Sequence, residues 1–333
     1  MAVKNKQIAG GVFCNLSKAF DFVNHRILIS KLEYCGIWGS HKTLINYLKE
    51  RCQRVTITGK TNVHYSSWEL IKHGVPQGSI LGPLLFLLYI NDLPKVTAKN
   101  AKLVLYADDT SLIITSDSYT EFIIKLNNVL RDVQEWFRSN LLFFNLNKTT
   151  YLQFLTKNKQ KIDPKITLMS NQITSSKKVK FLGLTIEETL SWKAHIDQMM
   201  TRLSSDCYAI RIVTPLMTED TLKMIYHAYV HSILMYGIIF WGNSPHSTSI
   251  FKIKKRIIWT MTKSGKRDSC RLLFKWLEIL PLEFPIYIFY ITVCGEDLFT
   301  MNHEIYNINT RSNTNLHTQL FKLMVVSKAT LLA

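Results

Sequence analysis

The sequence predicts an α+β fold in which a region of mixed strands and helices is followed by a region of helices alone. In the first region, strand-like alternation of apolar and polar residues, as at residues 53–59, lies between segments with helical spacing. After Leu190 the apolar residues recur with helical spacing over roughly residues 192–212 and 219–240, with no convincing strand. We therefore place a domain boundary near residue 188.

The composition is that of a globular protein that binds a polyanion. Of the 333 residues, 47% are hydrophobic, and the 13 Gly and 8 Pro are too few for a disordered, collagen-like or low-complexity chain. The formal net charge of +17 indicates a nucleic-acid partner, because Lys and Arg that neutralise phosphates release counterions. A membrane surface is the competing interpretation.

Targeting signals and disulfides are not indicated. No apolar run reaches the roughly 18 residues of a membrane-spanning helix, and the N-terminal residues do not have the pattern of a signal peptide. The six cysteines form no CxxC pair and no spacing typical of zinc. We therefore expect a protein without a membrane segment in a reduced intracellular compartment; nucleus and cytoplasm are not distinguished.

Two helices are predicted in the first 90 residues. The first begins at Phe20, from which apolar residues fall on one helix face, and it ends at Gly36; another helix is expected after Ser40. A Gly- and Pro-containing turn at residues 73–79 then leads into an apolar helix. Residues 84–90 are apolar all round, which predicts that this helix is buried on every side.

A pair of adjacent acids stands out in the middle of the chain. Asp108 and Asp109 lie between two apolar strands, within residues 103–114. Burying neighbouring carboxylates is costly unless cations neutralise them, so this hairpin requires a positively charged partner. Mg²⁺ prefers such hard oxygen ligands.

The elements that follow are a long helix and further strands. Ser118 and Glu121 have the spacing of a capping box for a helix whose apolar stripe runs to Phe137. Strands are predicted at residues 141–144, 151–155 and 179–186. Farther on, residues 252–275 are the densest part of the basic surplus.

That basic segment has two interpretations. Lys254, Lys255 and Arg256 could follow a phosphate backbone, with Trp259 and Trp276 available for base stacking. A solvated basic helix face is an almost equally good interpretation.

Four ordered motifs together resemble a known family. They are GVPQGSILGP at residues 74–83, YADD at 106–109, NKT at 147–149 and FLG at 181–183. At these motifs the sequence resembles the reverse transcriptases of non-LTR (LINE-type, jockey-like) retrotransposons. LSKAFDFVNH at residues 16–25 resembles the opening palm motif of that family, and LSWKAHI at 190–196 resembles the entry to its thumb. Looser matches to its C-terminal segments lie in residues 236–243 and 269–275.

The resemblance implies a right-hand polymerase. It assigns residues 1–187 to a palm with residual fingers, in which helices support an antiparallel sheet. Residues 188–265 would be a helical thumb-like region and residues 266–333 a C-terminal basic and helical segment. Because only 14 residues precede Asn15, we expect a copy truncated at its N-terminus, with most of the fingers and any endonuclease domain absent.

The resemblance also implies a two-metal site for nucleotidyl transfer. Asp108 and Asp109 would hold two Mg²⁺ ions that stabilise the attacking 3′ oxygen and the leaving pyrophosphate. The family has a further carboxylate where this chain has Asn15, and Asp21 lies too far along to replace it. Loss of that ligand is expected to lower the rate on the order of 10³-fold or more.

Further roles follow by resemblance, each beside a plainer alternative. Leu16, Phe20, Gln77 and Gly78 would contact the incoming nucleotide, with Phe20 excluding a 2′-OH; alternatively, Phe20 is a core residue and Gln77 and Gly78 form an ordinary loop. Lys148 would donate a proton to the leaving group, or be a solvated lysine. Three residues would form the primer grip, although two of them would also serve as core: Phe181, Leu182 and Gly183.

Three functional hypotheses remain. The first is an RNA-directed DNA polymerase, impaired in this copy, that uses an RNA template, a DNA primer, deoxynucleoside triphosphates and Mg²⁺. The second is a non-catalytic, nucleic-acid-binding remnant of a retroelement. The third is a retroelement translation product without function. The oligomeric state is not indicated by the sequence.

Overall fold

The computed structural model describes residues 7–37, 46–48, 51–155, 166–168, 171–265 and 268–280. Two compact units divide the chain between Val179 and Lys180. This division precedes the boundary expected near residue 188, because the strand Leu184–Glu187 packs against the helix that follows it. The division into residues 1–187, 188–265 and 266–333 stays a prediction.

The first unit is built on a five-stranded sheet. The strands are β1 Ile8–Asn15, β6 Lys102–Tyr106, β7 Asp109–Ser116, β8 Thr150–Phe154 and β11 Thr174–Ser175. Their order in the sheet is β11-β8-β1-β7-β6; the neighbouring strands are antiparallel except for the parallel pair β11 and β8. The predicted α+β class with an antiparallel-dominated sheet is confirmed.

The first unit also contains smaller two-stranded pieces. They are β2 Cys52–Gln53 paired with β5 Glu69–Leu70, β3 Thr56–Thr58 paired with β4 Val63–Tyr65, and β9 Thr167–Leu168 paired with β10 Asn171–Gln172. The strand predicted at residues 53–59 is therefore present at its centre. Both of its faces are exposed, so its alternation does not reflect a buried side.

Four helices of this unit are described from end to end: α1 His25–Tyr34, α2 Leu81–Ile90, α3 Leu93–Thr97 and α4 Tyr119–Ser139; residues 46–48 are also helical. Helix α4 places its predicted apolar stripe in the core, from Phe122 to Phe137. Ser118 caps it by accepting from the Glu121 amide, whereas the Glu121 side chain accepts from Ser116 and pairs with Lys125. Of the two hydrogen bonds of a capping box, the one from the Glu121 amide to the Ser118 side chain is thus present, whereas the Glu121 side chain has other partners.

Helix α1 starts later than predicted. The Asn24 side chain accepts hydrogen bonds from the backbone amides of Arg26 and Ile27, which is the geometry of an N-cap. Phe20 therefore precedes the helix and lies in a turn. The predicted end is confirmed, because Gly36 adopts φ +79° just beyond the cap.

Two other expectations for the first unit are wrong. Helix α2 is not buried on every side: Leu84 and Leu87 are 52% and 50% exposed, while Phe86 and Tyr89 face the core. Residues 141–144 do not form a strand; they contribute one isolated bridge between Phe144 and Leu16. Most of the helix expected after Ser40 lies outside the described residues.

The second unit begins with a hairpin and continues as helices. The segment predicted as one strand at residues 179–186 is a hairpin of β12 Lys178–Phe181 and β13 Leu184–Glu187. The helices are α5 Lys193–Val213, α6 Glu219–Ile225, a π-helical turn Tyr226–His231, α7 Ser232–Met235, α8 Ile238–Trp241, α9 Ser247–Met261 and α10 Cys270–Trp276. Within residues 188–265 and 268–280 the structure has no strand, as predicted.

None of the helices in the described ranges is both long enough and apolar enough to cross a membrane. The cysteines described in these ranges are free thiols.

Strand β1 can lie at the centre of the sheet because Gly10 leaves room for its neighbours. A Cβ at Gly10 would lie 2.8 Å from Phe122 Cζ on α4 and 2.8 Å from Tyr151 Cε2 on β8. Both rings are fully buried and have little freedom to move. The small residue therefore sets how closely α4 approaches the sheet.

We expect Gly10→Ala to destabilise the protein by about 1–3 kcal/mol, because it overpacks this contact. The urea midpoint measures the change. The penalty should be smaller when Gly10→Ala is made in a Phe122→Leu background, which removes one of the two rings. Equal penalties in both backgrounds would show that the α4 contact is not the cause.

Candidate active site

The acidic pair lies at the tip of the hairpin formed by β6 and β7. Tyr106 pairs with Asp109, so the turn consists of Ala107 and Asp108. Ala107 has φ +50°, a left-handed conformation that costs a residue with a Cβ roughly 1–2 kcal/mol. Such strain occurs preferentially at functional positions. Asp108 is thereby presented at the tip of the turn and Asp109 at the first position of β7.

Strand pairing brings Asn15 to the same place. Asn15 is the last residue of β1 and lies directly opposite Asp109 in the antiparallel register. Side chains of directly paired residues are on the same face of a sheet. Accordingly, Asn15 Nδ2 donates to Asp109 Oδ1 at 3.5 Å, a long hydrogen bond. The structure thus brings together the three residues predicted for the metal site.

The electrostatics of the pair fit a cation. Partial burial and the neighbouring charge of Asp108 raise the pKa of Asp109, while the hydrogen bond from Asn15 opposes that rise. In the described part of the chain neither carboxylate has an ion pair with Lys, Arg or His. A hard divalent ion would relieve the repulsion, and these oxygens are its preferred ligands.

The donor set is nevertheless incomplete for a site made of charged ligands alone. Among the described residues no group of three His, Cys, Asp or Glu side chains could hold a metal ion. The amide oxygen of Asn15 is a neutral ligand, and its NH₂ group is directed at Asp109. The residues therefore fit a metal with Asp108 and Asp109 as ligands, and position 15 adds no charge.

A second part of the predicted site forms around Phe20. Its ring stacks on Phe86 of α2, with centroids 4.7 Å apart and planes at 25°. The amide of Val75 donates to the Phe20 carbonyl at 2.8 Å, and Gln77 Nε2 donates to Asp21 Oδ1 at 3.2 Å. The segments that carry the predicted nucleotide-binding residues Phe20 and Gln77 are therefore packed against each other.

Gly74 is required for this packing. It has φ +88°, and a Cβ there would lie 2.9 Å from the carbonyl oxygen of Asp21. A ring nitrogen of His25, Nε2, lies 2.8 Å from the Gly74 carbonyl oxygen. Asp21 and His25 were not among the predicted site residues, although both belong to the motif LSKAFDFVNH. Both residues hold the loop that contains Gly74 and Gln77 against the Phe20 segment, and the sequence alone does not indicate this contact.

Three predicted residues have simpler positions. The side chain of Leu16 belongs to the core, so only its backbone could make the nucleotide contact, which stays a prediction. Gly78 has φ +81° and open space around it. Lys148 is exposed, and its backbone amide donates to the Asn145 carbonyl, while the Asn145 amide donates to the Asn15 carbonyl. Its loop is therefore tied to the end of β1.

The FLG motif in the second unit forms a two-residue turn. Leu182 and Gly183 have φ +44° and +79°, and they connect β12 to β13. Tyr236 supports the turn: its hydroxyl donates to the Leu182 carbonyl, and its Cε1 lies 3.0 Å from where a Cβ at Gly183 would be. Tyr236 was not predicted as a site residue. Its only sequence signal was the loose resemblance of residues 236–243.

The three residues of the predicted basic surface, Lys254, Lys255 and Arg256, differ in their exposure to solvent. Lys254 is 3% exposed, its Nζ donates to the Leu280 carbonyl at 2.5 Å, and burial lowers its pKa to about 8. Its assignment to a nucleic-acid-binding surface is therefore wrong. Arg256 is exposed, and Lys255 is half-buried with its Nζ 4.5 Å from the centroid of Phe251.

We expect Asp109→Asn to stabilise the protein at neutral pH in the absence of Mg²⁺. A raised folded-state pKa means that the fold disfavours the charged carboxylate, and this cost is fully present above the raised pKa. As the pH falls through the raised pKa and then below the ordinary value of 3.8, the carboxyl becomes protonated in both states and the advantage of Asn should disappear. Thermal unfolding across this range measures the difference. A variant less stable than the parent at pH 7 would show that the charged Asp109 carboxylate does not destabilise the fold.

Comparison with known proteins identifies relatives of this chain. A family model described as "Reverse transcriptase (RNA-dependent DNA polymerase)" matches residues 1–186. The "Probable RNA-directed DNA polymerase from transposon BS" of Drosophila melanogaster is 29% identical over 255 residues, which are 74% of this chain and 28% of that protein. The "RNA-directed DNA polymerase from mobile element jockey" of the same species is 27% identical over 257 residues, 74% of this chain and 27% of the relative.

The chain thus spans less than a third of the length of these two relatives. Among solved structures, a telomerase from Candida albicans in complex with a fragment of telomeric RNA aligns with 84% of this chain and 52% of its own, at 12% identity and a TM-score of 0.42. The match of the family model to more than half of the chain carries the assignment: the chain belongs to the reverse transcriptase family, and its relatives are polymerases of non-LTR retrotransposons.

Proposed function

We propose that this chain is the palm and thumb of an RNA-directed DNA polymerase whose activity is impaired by Asn15. The observation that carries this proposal is the pairing of Asn15 with Asp109 beside Asp108. The substrates would be an RNA template, a DNA primer and deoxynucleoside triphosphates. The family and the relatives support the reaction class.

The reaction would take place at the acidic tip. Asp108 and Asp109 would hold Mg²⁺, which when bound supplies the positive charge that stabilises the attacking and leaving oxygens of an in-line displacement at phosphorus. The protein's own contribution is to hold the two carboxylates close together against their mutual repulsion. The strand register and the strained turn at Ala107 both serve this placement.

The other side chains would position the nucleotide. Phe20, fixed by its stack on Phe86, would lie beneath the sugar and exclude a 2′-OH. Gln77 is held near it by its hydrogen bond to Asp21, and the open Gly78 would allow the backbone to approach the new base pair. Lys148, exposed on the loop tied to Asn15, would protonate the pyrophosphate leaving group.

Asn15 explains why activity would be weak. An amide at this position keeps the shape of Asp but removes a negative charge from the group of ligands. Charge stabilisation by a bound metal is worth several kcal/mol, so weakened metal binding would lower the rate on the order of 10³-fold.

We expect Asn15→Asp to raise Mg²⁺-dependent primer extension on an RNA template by at least about tenfold. The same variant should be less stable than the parent without Mg²⁺, because a third carboxylate joins two others, and should gain more thermal stability on adding Mg²⁺. Asn127→Asp is the matched control: it adds the same charge at an exposed position of α4 in the same unit and should change neither quantity appreciably.

The two measurements separate the possible failures. A variant that gains Mg²⁺-dependent stability but no extension would show that Asn15 is not the sole lesion. A variant that gains neither would show that position 15 is not a metal ligand.

Asp108→Ala should abolish measurable extension in the Asn15→Asp background. This change removes a direct ligand at the tip of the turn without touching the buried core. A variant that kept its full rate would refute the assignment of the site to this hairpin.

The alternative function is that of a non-catalytic nucleic-acid-binding protein, favoured by the net charge of +17 and the exposed Arg256. If α9 contacts phosphates, the affinity for an RNA–DNA hybrid should fall linearly with salt on a log–log plot. Replacing Lys255 and Arg256 with Ala should reduce the slope by up to about two units of roughly 0.7–0.9 each. Lys254→Met is the control, because the buried Lys254 should not contribute. An unchanged slope in the double variant would make α9 an ordinary solvated face.

A further inference from the structure

The turn between β12 and β13 packs against a second turn of the same unit, which contains Gly237. Both turns contain a left-handed glycine: Gly183 has φ +79° and Gly237 has φ +62°. A Cβ at Gly183 would lie 3.0 Å from Cε1 of Tyr236, the residue before Gly237. A Cβ at Gly237 would lie 2.7 Å from Cδ2 of Leu184, the residue after Gly183. Each glycine therefore makes room for a side chain of the opposite turn, and the two turns interlock.

Tyr236 adds a hydrogen bond to this interlock. Its hydroxyl donates to the carbonyl of Leu182, the other central residue of the β12–β13 turn. Leu182 has φ +44°, a left-handed conformation that is unfavourable for a residue with a Cβ. Such a conformation persists only where the surrounding structure enforces it. The side chain of Tyr236 therefore contacts both central residues of the turn and holds them in a strained conformation.

The backbone of Tyr236 is itself fixed by the core of the second unit. The indole nitrogen of Trp241, Nε1, donates to the Tyr236 carbonyl at 3.0 Å, and Trp241 is fully buried. The side chain of Tyr236 is nevertheless 54% exposed, so it contributes less to apolar burial than a core tyrosine would. An anchored backbone with a half-exposed side chain against a strained turn favours a role in orienting that turn.

The base of the hairpin is attached to α5 by different residues. The Thr185 hydroxyl donates to Gln198 Oε1 at 2.8 Å, and the Thr185 amide donates to His195 Nδ1 at 3.4 Å. Loss of the Tyr236 hydroxyl would therefore loosen the tip of the hairpin while β13 stays attached to the helix. The role of the tip can thus be tested in a folded protein.

We propose that Tyr236 is a positioning residue for the 3′ end of the primer, which it orients by fixing the turn at Leu182 and Gly183. This inference rests on the proposed function, in which that turn contacts the primer by resemblance; the interlock of the two turns assigns the residue that acts through it. Tyr236 acts on the turn and does not contact the reacting atoms. A turn that is ordered beforehand loses less conformational entropy when the primer binds.

The first test uses the full chain without Mg²⁺, so that it does not depend on catalysis. Tyr236→Phe removes the hydroxyl and keeps the ring. It should speed hydrogen exchange at the amides of Leu182 and Gly183, and should weaken binding of an RNA template annealed to a DNA primer about three- to tenfold, the effect of losing one hydrogen bond. The salt dependence of binding should not change, because no phosphate contact is lost. Tyr229→Phe, at another exposed tyrosine of the same unit, is the matched control and should change none of these quantities.

The second test measures primer extension with Mg²⁺ in the Asn15→Asp background. Tyr236→Phe should raise the KM for the primer–template about three- to tenfold, while the KM for the deoxynucleoside triphosphate and kcat stay within about twofold. A purely structural role would instead reduce the fraction of active protein, which lowers kcat and leaves both KM values unchanged. Tyr236→Leu, which also removes the ring from Gly183, should raise the primer–template KM further and again spare the nucleotide KM.

Several outcomes would overturn the role of Tyr236. They are a parent chain that binds no primer–template, a Tyr236→Phe variant with unchanged exchange at the turn or unchanged affinity, and equal increases of both KM values. The absence of extension in every variant would contradict the proposed function alone, because exchange and binding are measured without catalysis.

Discussion

The register between β1 and β7 is the constraint on which the rest of the site depends. Side chains alternate between faces of a strand, so a slip of one residue would move Asn15 to the other face of the sheet, away from Asp109. The register is fixed by burial: Val12, Leu112 and Ile114 have to face the core, and Gly10 has to face Phe122. The packing of these apolar residues thereby brings Asn15, Asp108 and Asp109 together at the end of β1. The polar side chains would not assemble there through their own packing. The acidic tip is thus positioned by residues that carry no chemistry.

The same end of β1 organises the neighbouring loops through backbone hydrogen bonds. The Asn15 carbonyl accepts from the Asn145 amide, which orders the segment that bears Lys148. On the other side, the chain leaves β1 through Phe20, whose carbonyl accepts from Val75, and so the loop with Gln77 is drawn in. Backbone groups do not depend on side-chain identity. The arrangement can therefore survive a substitution of the side chain at position 15 without a change of fold.

The sequence predicted those features that local patterns determine. The hairpin around Asp108, the apolar stripe of α4 and the helical second unit each follow from periodicity or adjacency, and all are present. The features that were predicted wrongly or not at all depend on contacts between residues that are distant in the sequence. The partly exposed face of α2 could not be inferred from its uniformly apolar residues, because periodicity is undefined when every position is apolar. The burial of Lys254 depends on the carbonyl of Leu280, which lies 26 residues away. Likewise, the support of Gly183 by Tyr236 is a long-range contact that local spacing cannot indicate.

The electrostatics of the tip give a physical reason why Asn is tolerated at position 15. Three carboxylates in this space would repel one another whenever no cation is bound; burial, and after it the charge of Asp108, already raise the pKa of Asp109. An amide is nearly isosteric with a carboxylate, adds no charge and donates to Asp109. In the metal-free protein Asn at position 15 therefore costs less folding free energy than Asp would, while in the proposed polymerase it would weaken metal binding. Folding stability and the proposed activity would make opposite demands at this residue.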